Sequence, residues 1–208
     1  MRYGSDFEIV EIPRDILDKI VKTIDSKDIK FNYDRIDRYK TEPKDNVYWR
    51  KSQINWLDDS FIIKYFSDLA SDINSKANWN LNISGGSERV QYTQYGIGDF
   101  YDWHEDEGEP RPLSPNLDIL SVRKISMTMF LNDDFDGGEF DIEIYSSMLG
   151  RECRYETIPS KKGTVVFFKS DYFHRVRPVT KGIRKSLVIW WHGLRHKILL
   201  LNRGLHPK

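Results

Sequence analysis

The chain of 208 residues has almost no cysteine. Cys153 stands alone, so no intramolecular disulfide can form, and a reducing cytoplasmic setting is the expectation. It has no net charge, with Lys plus Arg and Asp plus Glu at 32 each. No global positive field therefore exists to draw in nucleic acid. It has no apolar run long enough to cross a membrane, and Met1 to Val10 carries charges where a leader peptide would be apolar. Internal repeats and low-complexity segments are also missing. A soluble protein with neither membrane nor nucleic-acid partner is what these absences leave; oligomeric state is left open. Aromatic residues reach 13% and offset a modest aliphatic content, so a core is feasible within one domain.

Pro13 followed by Ile16, Leu17, Ile20, Val21 and Ile24 has helical spacing, with proline suited to a first turn. A second helix is predicted from about Asp58 to Ala77, with Asp58 or Asp59 as cap and Phe61, Ile62, Tyr65, Phe66, Leu69 and Ile73 as its apolar stripe. Between them, Asp28 to Asn55 is polar and reads as loop or short strands. After Ser84-Gly85-Gly86, short β-rich runs alternate with turn clusters. They are Arg89–Tyr95, Phe100–His104, Ile125–Leu131, Glu139–Ile144, Tyr155–Ile158, Thr164–Phe168, His174–Val179 and Ser186–Trp191. The pattern predicts a mostly β, α+β protein: a sandwich or jelly roll backed by about two helices. A single domain over 1–208 is expected, with 1–84 as helical support, 85–193 as jelly-roll core and 194–208 as a C-terminal tail. Glu107 to Leu120 carries Pro110, Pro112 and Pro115 and reads as a long loop facing substrate. Its acidic residues, set against Arg111 alone, hint at a basic or neutral partner.

Four polar residues stand out. His104 and Asp106 lie two apart, and much later come His174 and, ten residues on, Arg184. Residues two apart on an extended strand share a side, so His104 and Asp106 can both reach one ion while Glu105 points away. Two histidines and a carboxylate are the facial donor set of non-haem Fe(II) sites, which leaves open positions opposite. By itself a His-x-Asp among five histidines and many aspartates is close to chance. Arg184 heads the apolar strand Leu187 to Trp191, and a charge entering a barrel needs an anionic partner.

The wider segments carry more. Tyr95-Gly-Ile-Gly-Asp-Phe-Tyr-Asp-Trp-His-Glu-Asp106 and Gly163 through Arg184 to Ser186 resemble the prolyl 4-hydroxylase-type 2-oxoglutarate/Fe(II) dioxygenases, above all the bacterial PKHD-type hydroxylases. Ser126 to Leu131 looks like that family's central strand, Asp136-Gly-Gly-Glu139 like its double-glycine turn, and Ala77 to Leu81 like the lead-in to its first core strand. The resemblance covers roughly 56–193. It implies a double-stranded β-helix, with His104, Asp106 and His174 as Fe(II) ligands and Arg184 on the distal carboxylate of 2-oxoglutarate. It places Tyr95 and Trp190 beside that co-substrate and leaves Thr128 as the one polar residue on the central strand able to help. It also implies O2 as oxidant, ascorbate as reductant, and hydroxylation of a C–H bond with succinate and CO2 as co-products. A prolyl or other residue of a protein or peptide is the implied substrate. Hydroxylation of a free amino acid or small molecule stays open. A nucleic-acid demethylase of related fold is disfavoured by the Arg184 spacing and the balanced charge, and a non-enzymatic jelly-roll binding module by the completeness of the quartet.

Other residues read as structural. Tyr101 and Trp103 alternate with the ligands and should face away from His104, while Asp102 shares its phase and could be an outer partner. Gly137 and Gly138 suit positive φ. Arg175, Arg177, Lys181 and Lys185 read as a solvated face. His192, His196 and His206 lack partners at ligand spacing, and Cys153 lacks a base.

Overall fold

The computed structural model describes residues 7–37, 48–114, 117–145 and 154–194. In chain order the elements are β1 (Phe7–Glu11), α1 (Arg14–Asp25), β2 (Asn32–Asp37), β3 (Tyr48–Leu57), α2 (Ser60–Lys76), β4 (Val90–Tyr95), β5 (Phe100–His104) and β6 (Arg111–Ser114). There follow β7 (Leu117–Phe130), β8 (Asp136–Gly137), β9 (Phe140–Tyr145), β10 (Arg154–Ile158), β11 (Thr164–Lys169), β12 (His174–Val176), β13 (Val179–Lys181) and β14 (Arg184–Leu194).

Both helices form where apolar spacing predicts. In α1 the stripe Leu17, Ile20 and Ile24 is buried, and Pro13 caps it without a side-chain bond. In α2 the Asp59 carboxylate accepts the Ile62 N–H at 3.1 Å, which satisfies one orphan donor of the first turn. Its buried stripe is Ile62, Phe66, Ala70 and Ile73. These faces pack on Met127 and Met129 of β7, Phe167 of β11 and Leu187, Ile189 and Trp191 of β14. The Trp191 indole N–H donates to Ser67 Oγ at 3.0 Å and ties α2 to the sheet.

Every strand pairing is antiparallel, in the order β1-β11-β7-β14-β4-β3-β5-β12-β9-β10. The sheet curls because β3 serves two neighbours. Its Gln53–Leu57 half pairs with β4, while Arg50 and Lys51 pair with β5. Alternation along the strands then gives each face a job. On β7, Met127 and Met129 face the helices, whereas Thr128 faces the interior of the curl. On β11, Val165 and Phe167 join the helical core, and Val166 and Phe168 join a second core with Phe130, Phe140 and Ile142. The apolar run from Val165 to Phe168 is thus buried on both faces. The expected jelly-roll class with two supporting helices holds.

Three local readings change. Residues 1–84 are not helical support alone: β1, β2 and β3 from this region join the main sheet, and of the two readings of the polar stretch, loop or short strands, the strands hold, as the β2–β3 hairpin. Hairpin alternation was hidden there by charged side chains. Part of 107–120 is strand, with β6 paired to β7 despite its proline; this is an edge, where a missing N–H is tolerated. Pro178 divides the run from His174 to Val179 into β12 and β13. Pro115, Cys153, His196, His206 and the tail from 195 lie outside the described residues.

Replacing Phe66 by Ala should cost about 3–5 kcal/mol of stability, because a fully buried ring between α2 and the sheet leaves a cavity. Urea unfolding should show a lower midpoint at unchanged slope. A loss below about 1 kcal/mol would mean that α2 does not close this core.

Candidate functional site

The end of β5 and the start of β12 are cross-strand neighbours, and His104 is paired with His174. Their ring centroids are 4.1 Å apart. Asp106 follows β5, where its backbone N–H donates to Ser170 O at 2.8 Å. Its carboxylate oxygens then stand 3.7 Å from His104 Nε2 and 3.4 Å from His174 Nε2. One donor atom from each of the three buried residues lies within 4.8 Å of the others, a set that could hold a metal ion.

The imidazole tautomers follow from their outer partners. His104 Nδ1 is 2.7 Å from Asp102 O, and His174 Nδ1 is 3.0 Å from Tyr172 O. A carbonyl only accepts, so each Nδ1 carries the hydrogen and each Nε2 lone pair faces inward. Burial, joined by the His174 ring, pushes the His104 pKa well below its ordinary value and keeps it neutral. Burial alone would raise the Asp106 pKa; the two imidazoles, with Trp190 and Arg123, reverse this and hold it low. A neutral imidazole and an ionised carboxylate are the forms that bind a cation.

A bulge in β5 corrects one expectation. Partners step from His174 to Val176 on β12 but from His104 to Tyr101 on β5. The extra residue shifts the phase, as a β-bulge does. Tyr101 therefore faces the site and stacks on His104 with ring centroids 3.4 Å apart, instead of facing away. Asp102 acts through its backbone carbonyl, while its carboxylate accepts the Trp103 N–H. Trp103 does face outward, against Tyr155 and Arg175.

Arg184 opens β14 opposite Tyr95 and is 1% exposed. Its Nη1 donates to Ser186 Oγ at 3.0 Å. Nε and Nη2 are buried with no partner. The guanidinium lies 4.9 Å from the Phe130 ring and 5.3 Å from the Tyr95 ring. Burial draws its pKa down to about 10, so it stays charged at neutral pH. The anionic partner expected from sequence is not a protein carboxylate among the described residues.

Arg184 and the three candidate ligands line one cavity of about 290 Å³. Tyr95, Thr128 and Trp190, the other residues singled out in the sequence, line it as well. Gly137 and Gly138 adopt positive φ as expected. Gly138 has a second reason: a Cβ there would stand 3.1 Å from Arg184 Cδ.

Sequence reasoning missed Ser186, Arg50, Trp56 and Arg123 in this cavity. Ser186 was findable, since it lies two residues from Arg184 on one strand. Arg50 and Trp56 come from the unread β3. Arg50 pairs with Asp34 at 2.9 Å, donates to Gln91 and Ser52, and lies over Tyr101. Arg175 and Arg177 are not simply solvated: both donate to the buried Asp141 carboxylate at 2.7 Å. Glu88 receives Arg123 at 2.7 and 3.0 Å and His192 at 2.7 Å, so His192 is structural as expected.

The model of the 2OG-Fe(II) oxygenase superfamily matches residues 90–192, a span that contains the whole quartet. A PKHD-type hydroxylase of Thermosynechococcus vestitus is 31% identical over 105 residues, covering 50% of this chain and 42% of its own length. One from Idiomarina loihiensis is 32% identical over 108 residues, covering 51% and 43%. The chain thus spans less than half the length of these relatives. A Pseudomonas putida prolyl-4-hydroxylase crystal structure aligns with TM-score 0.62 at 19% identity, over 90% of this chain and 92% of that one. A Trichoplax adhaerens prolyl hydroxylase, solved with a hypoxia inducible factor peptide fragment, gives 0.59 at 19% over 90% and 83%. At such identity these structures speak for the fold.

Hydrogen bonds from His192 and Arg123 overcome the effect of burial and lower the Glu88 pKa to about 2. The unfolded value is about 4.3. Glu88 therefore stabilises the fold above about pH 4.3, and this contribution drains away as pH falls toward about 2. Glu88→Gln should flatten that part of a Tm-against-pH curve, and an unchanged acid limb would refute the pairing.

Proposed function

We propose that the chain, whose residues 90–192 match the model of the 2OG-Fe(II) oxygenase superfamily, is a 2-oxoglutarate- and Fe(II)-dependent dioxygenase that hydroxylates a C–H bond. His104, Asp106 and His174 hold the iron through Nε2, a carboxylate oxygen and Nε2. Arg184 receives the distal carboxylate of 2-oxoglutarate. The observation that carries the reading is this buried guanidinium with two unpartnered nitrogens, Nε and Nη2, facing the same cavity as the triad. A carboxylate arriving there gains charge-assisted bonds that no protein group supplies. Fe(II), when bound with 2-oxoglutarate and O2, supplies the oxidising chemistry, and succinate and CO2 are the co-products.

The chain's own work is placement. The Asp102 and Tyr172 carbonyls fix both imidazole rings. Tyr101 walls one side of His104, and Phe140 and Phe168 lie against His174. These rings keep bulk water from the ligands. Ser186 orients Arg184, with Tyr95 beneath it; Thr128 and Trp190 complete the co-substrate wall. Ascorbate belongs to this reading as an external reductant, with no cavity residue assigned to it.

The substrate is a residue of a protein or peptide, with proline as the leading candidate. Two features favour this. A cavity of about 290 Å³, shared with a five-carbon dicarboxylate, leaves room for one residue-sized group reaching in from outside. Apart from Arg184, the arginines nearby are each matched by a carboxylate: Arg50 by Asp34, Arg123 by Glu88 and Arg89 by Asp58. The aromatic pair Trp56 and Trp190, 6.1 Å apart, then presents an uncharged wall. That suits an uncharged side chain and argues against a polyanion such as nucleic acid. A single domain over the whole chain, with 85–193 as its catalytic core, is part of the same proposal.

Protein loaded anaerobically with Fe(II) should release succinate from 2-oxoglutarate on exposure to O2; a protein that neither binds 2-oxoglutarate nor releases succinate overturns the reading. Asp106→Ala, which removes the only anionic ligand, should abolish Fe(II) binding measured by equilibrium dialysis. Arg184→Lys should weaken 2-oxoglutarate by about 1.5–3 kcal/mol, the scale of a hydrogen bond to a charged group. Unchanged affinity on titration would mean that another residue holds the distal carboxylate.

A further inference from the structure

Among the described residues, the buried polar side-chain atoms without a partner are Arg184 Nε, Arg184 Nη2 and Trp190 Nε1, and both residues line the same cavity. The two guanidinium nitrogens receive the distal carboxylate in the proposed function. The indole N–H has no task there. Trp190 is 6% exposed. A buried donor left unmet is costly, so an orphan kept at a cavity wall marks a place for an acceptor that arrives with a ligand.

Alternation along β14 turns Arg184, Ser186, Val188 and Trp190 to the cavity. At about 3.3 Å per residue the row from Arg184 to Trp190 is about 20 Å long, far more than a five-carbon diacid spans. Trp190 thus stands at the opposite end of the row from the guanidinium. Arg123 shows which end this is: it lies 3.9 Å over the Trp190 ring, and its Nη1 donates to the Asp106 carbonyl at 3.5 Å. Trp56 and Arg123, both partly exposed, open this end to solvent. The indole is held still. The Trp56 ring lies 6.1 Å away, Glu88 takes Nε and Nη2 of Arg123, and the Glu88 N–H donates to Trp190 O at 2.9 Å. A Cβ at Gly193 would fall 1.5 Å from Asn82 O, so only glycine lets the segment from Asn82 to Glu88 lie this close to β14.

The protein acceptors at this end are already engaged. Both Glu88 oxygens receive Arg123, and one also receives His192. The Asp106 carboxylate is turned to the two imidazoles. What remains is a fixed donor beside aromatic rings. An acyl-proline unit has the complementary form: a carbonyl that only accepts, no N–H to satisfy, and an apolar ring. We propose that Trp190 is a substrate-recognition residue, its indole N–H donating to the carbonyl oxygen of the residue that precedes a substrate proline. The inference rests on the reading of the cavity as the site of a hydroxylase with a peptide substrate. It makes the missing N–H of proline, as well as its ring, part of what the site selects.

The test is the indole proton–nitrogen NMR spectrum of the chain loaded with Zn(II) and 2-oxoglutarate, a mixture that does not turn over. The Trp190 signal, one of six tryptophans, is identified by its loss in Trp190→Phe, or through its cross-strand neighbour Ser126 where that variant does not fold. The probe is an acetylated Ala-Pro-Ala-Pro-Ala-Pro amide. Its addition should move the Trp190 indole proton downfield, the direction of a new hydrogen bond, and the same peptide with glycine for each proline should leave it in place. Peptide affinity, followed at the Trp56 indole, should weaken about three- to tenfold in Trp190→Phe, which keeps an aromatic ring and removes the N–H. A Trp190 signal that moves on Zn(II) or on 2-oxoglutarate and no further on peptide assigns the donor to Asp106 or to the co-substrate and overturns the proposal. So does a proline peptide that binds with the Trp190 indole unmoved, or an equal response to the glycine peptide. A chain that takes up Zn(II) and 2-oxoglutarate but neither peptide overturns the prolyl substrate itself, a result distinct from a peptide that binds without engaging the indole.

Discussion

One guanidinium without a carboxylate organises the interior of this fold. Removing a charge from water without a counter-ion costs several kcal/mol, even after relaxation. Arg184 bears that cost with one neutral hydroxyl and two aromatic rings for company. The surrounding structure has to make the position stable: β14 is paired on both sides, to β4 and β7, and its alternate residues Leu187, Ile189 and Trp191 fill the helical core. Gly138 clears the space beside the Arg184 side chain. Stability is thus generated on the outer face of the strand and used on its inner face. Under the proposed function, an anion of the right length would complete what the fold leaves unpaired.

The same division runs through the end of the cavity where His104, Asp106 and His174 meet. The run from Val165 to Phe168 is core on both sides, and its Phe168 ring meets His174 edge-on at 4.6 Å. The histidines are held by backbone carbonyls, so their aim depends on strand geometry and not on the rotamer of another acid. This makes the β5 bulge consequential. One extra residue against β12 turns Tyr101 inward while leaving His104 and His174 paired. Arg50 above that ring connects the stack to Asp34 on the β2–β3 hairpin, so the cavity wall at this side is one continuous set of contacts.

Much was legible in the residues because the rules involved are local. The helices followed from periods of three and four, and capping chemistry narrowed the α2 cap to Asp58 or Asp59, of which the structure uses Asp59. The β strands after Gly86 followed from alternation and turn residues. The quartet stood out once its segments were read together, and Tyr95, Thr128 and Trp190, singled out with it, line the same cavity. What escaped has a common cause. β2 and β3 are polar strands whose pairing supplies what their composition does not, so no apolar rhythm announced them. Tyr101 was misassigned because a strict period of two was assumed across a bulge. Arg175 and Arg177 read as solvated because their partner, Asp141, is distant in the chain and buried.

The sequence by itself determined the donor chemistry: which side chains could bind a cation, which cation could bind an acid, and which stretches would alternate into strands. These are properties of residue type and near spacing, and they persist in any arrangement that keeps the strands extended. Only the tertiary structure decided the partners. It brought Arg50, Trp56 and Arg123 into one cavity with the quartet, turned Tyr101 onto His104, and left Arg184 with two nitrogens unpartnered. Those outcomes depend on a bulge, on β3 bridging two strands, and on a glycine laid against a distant carbonyl. They are long-range steric facts, and no window of neighbouring residues contains them.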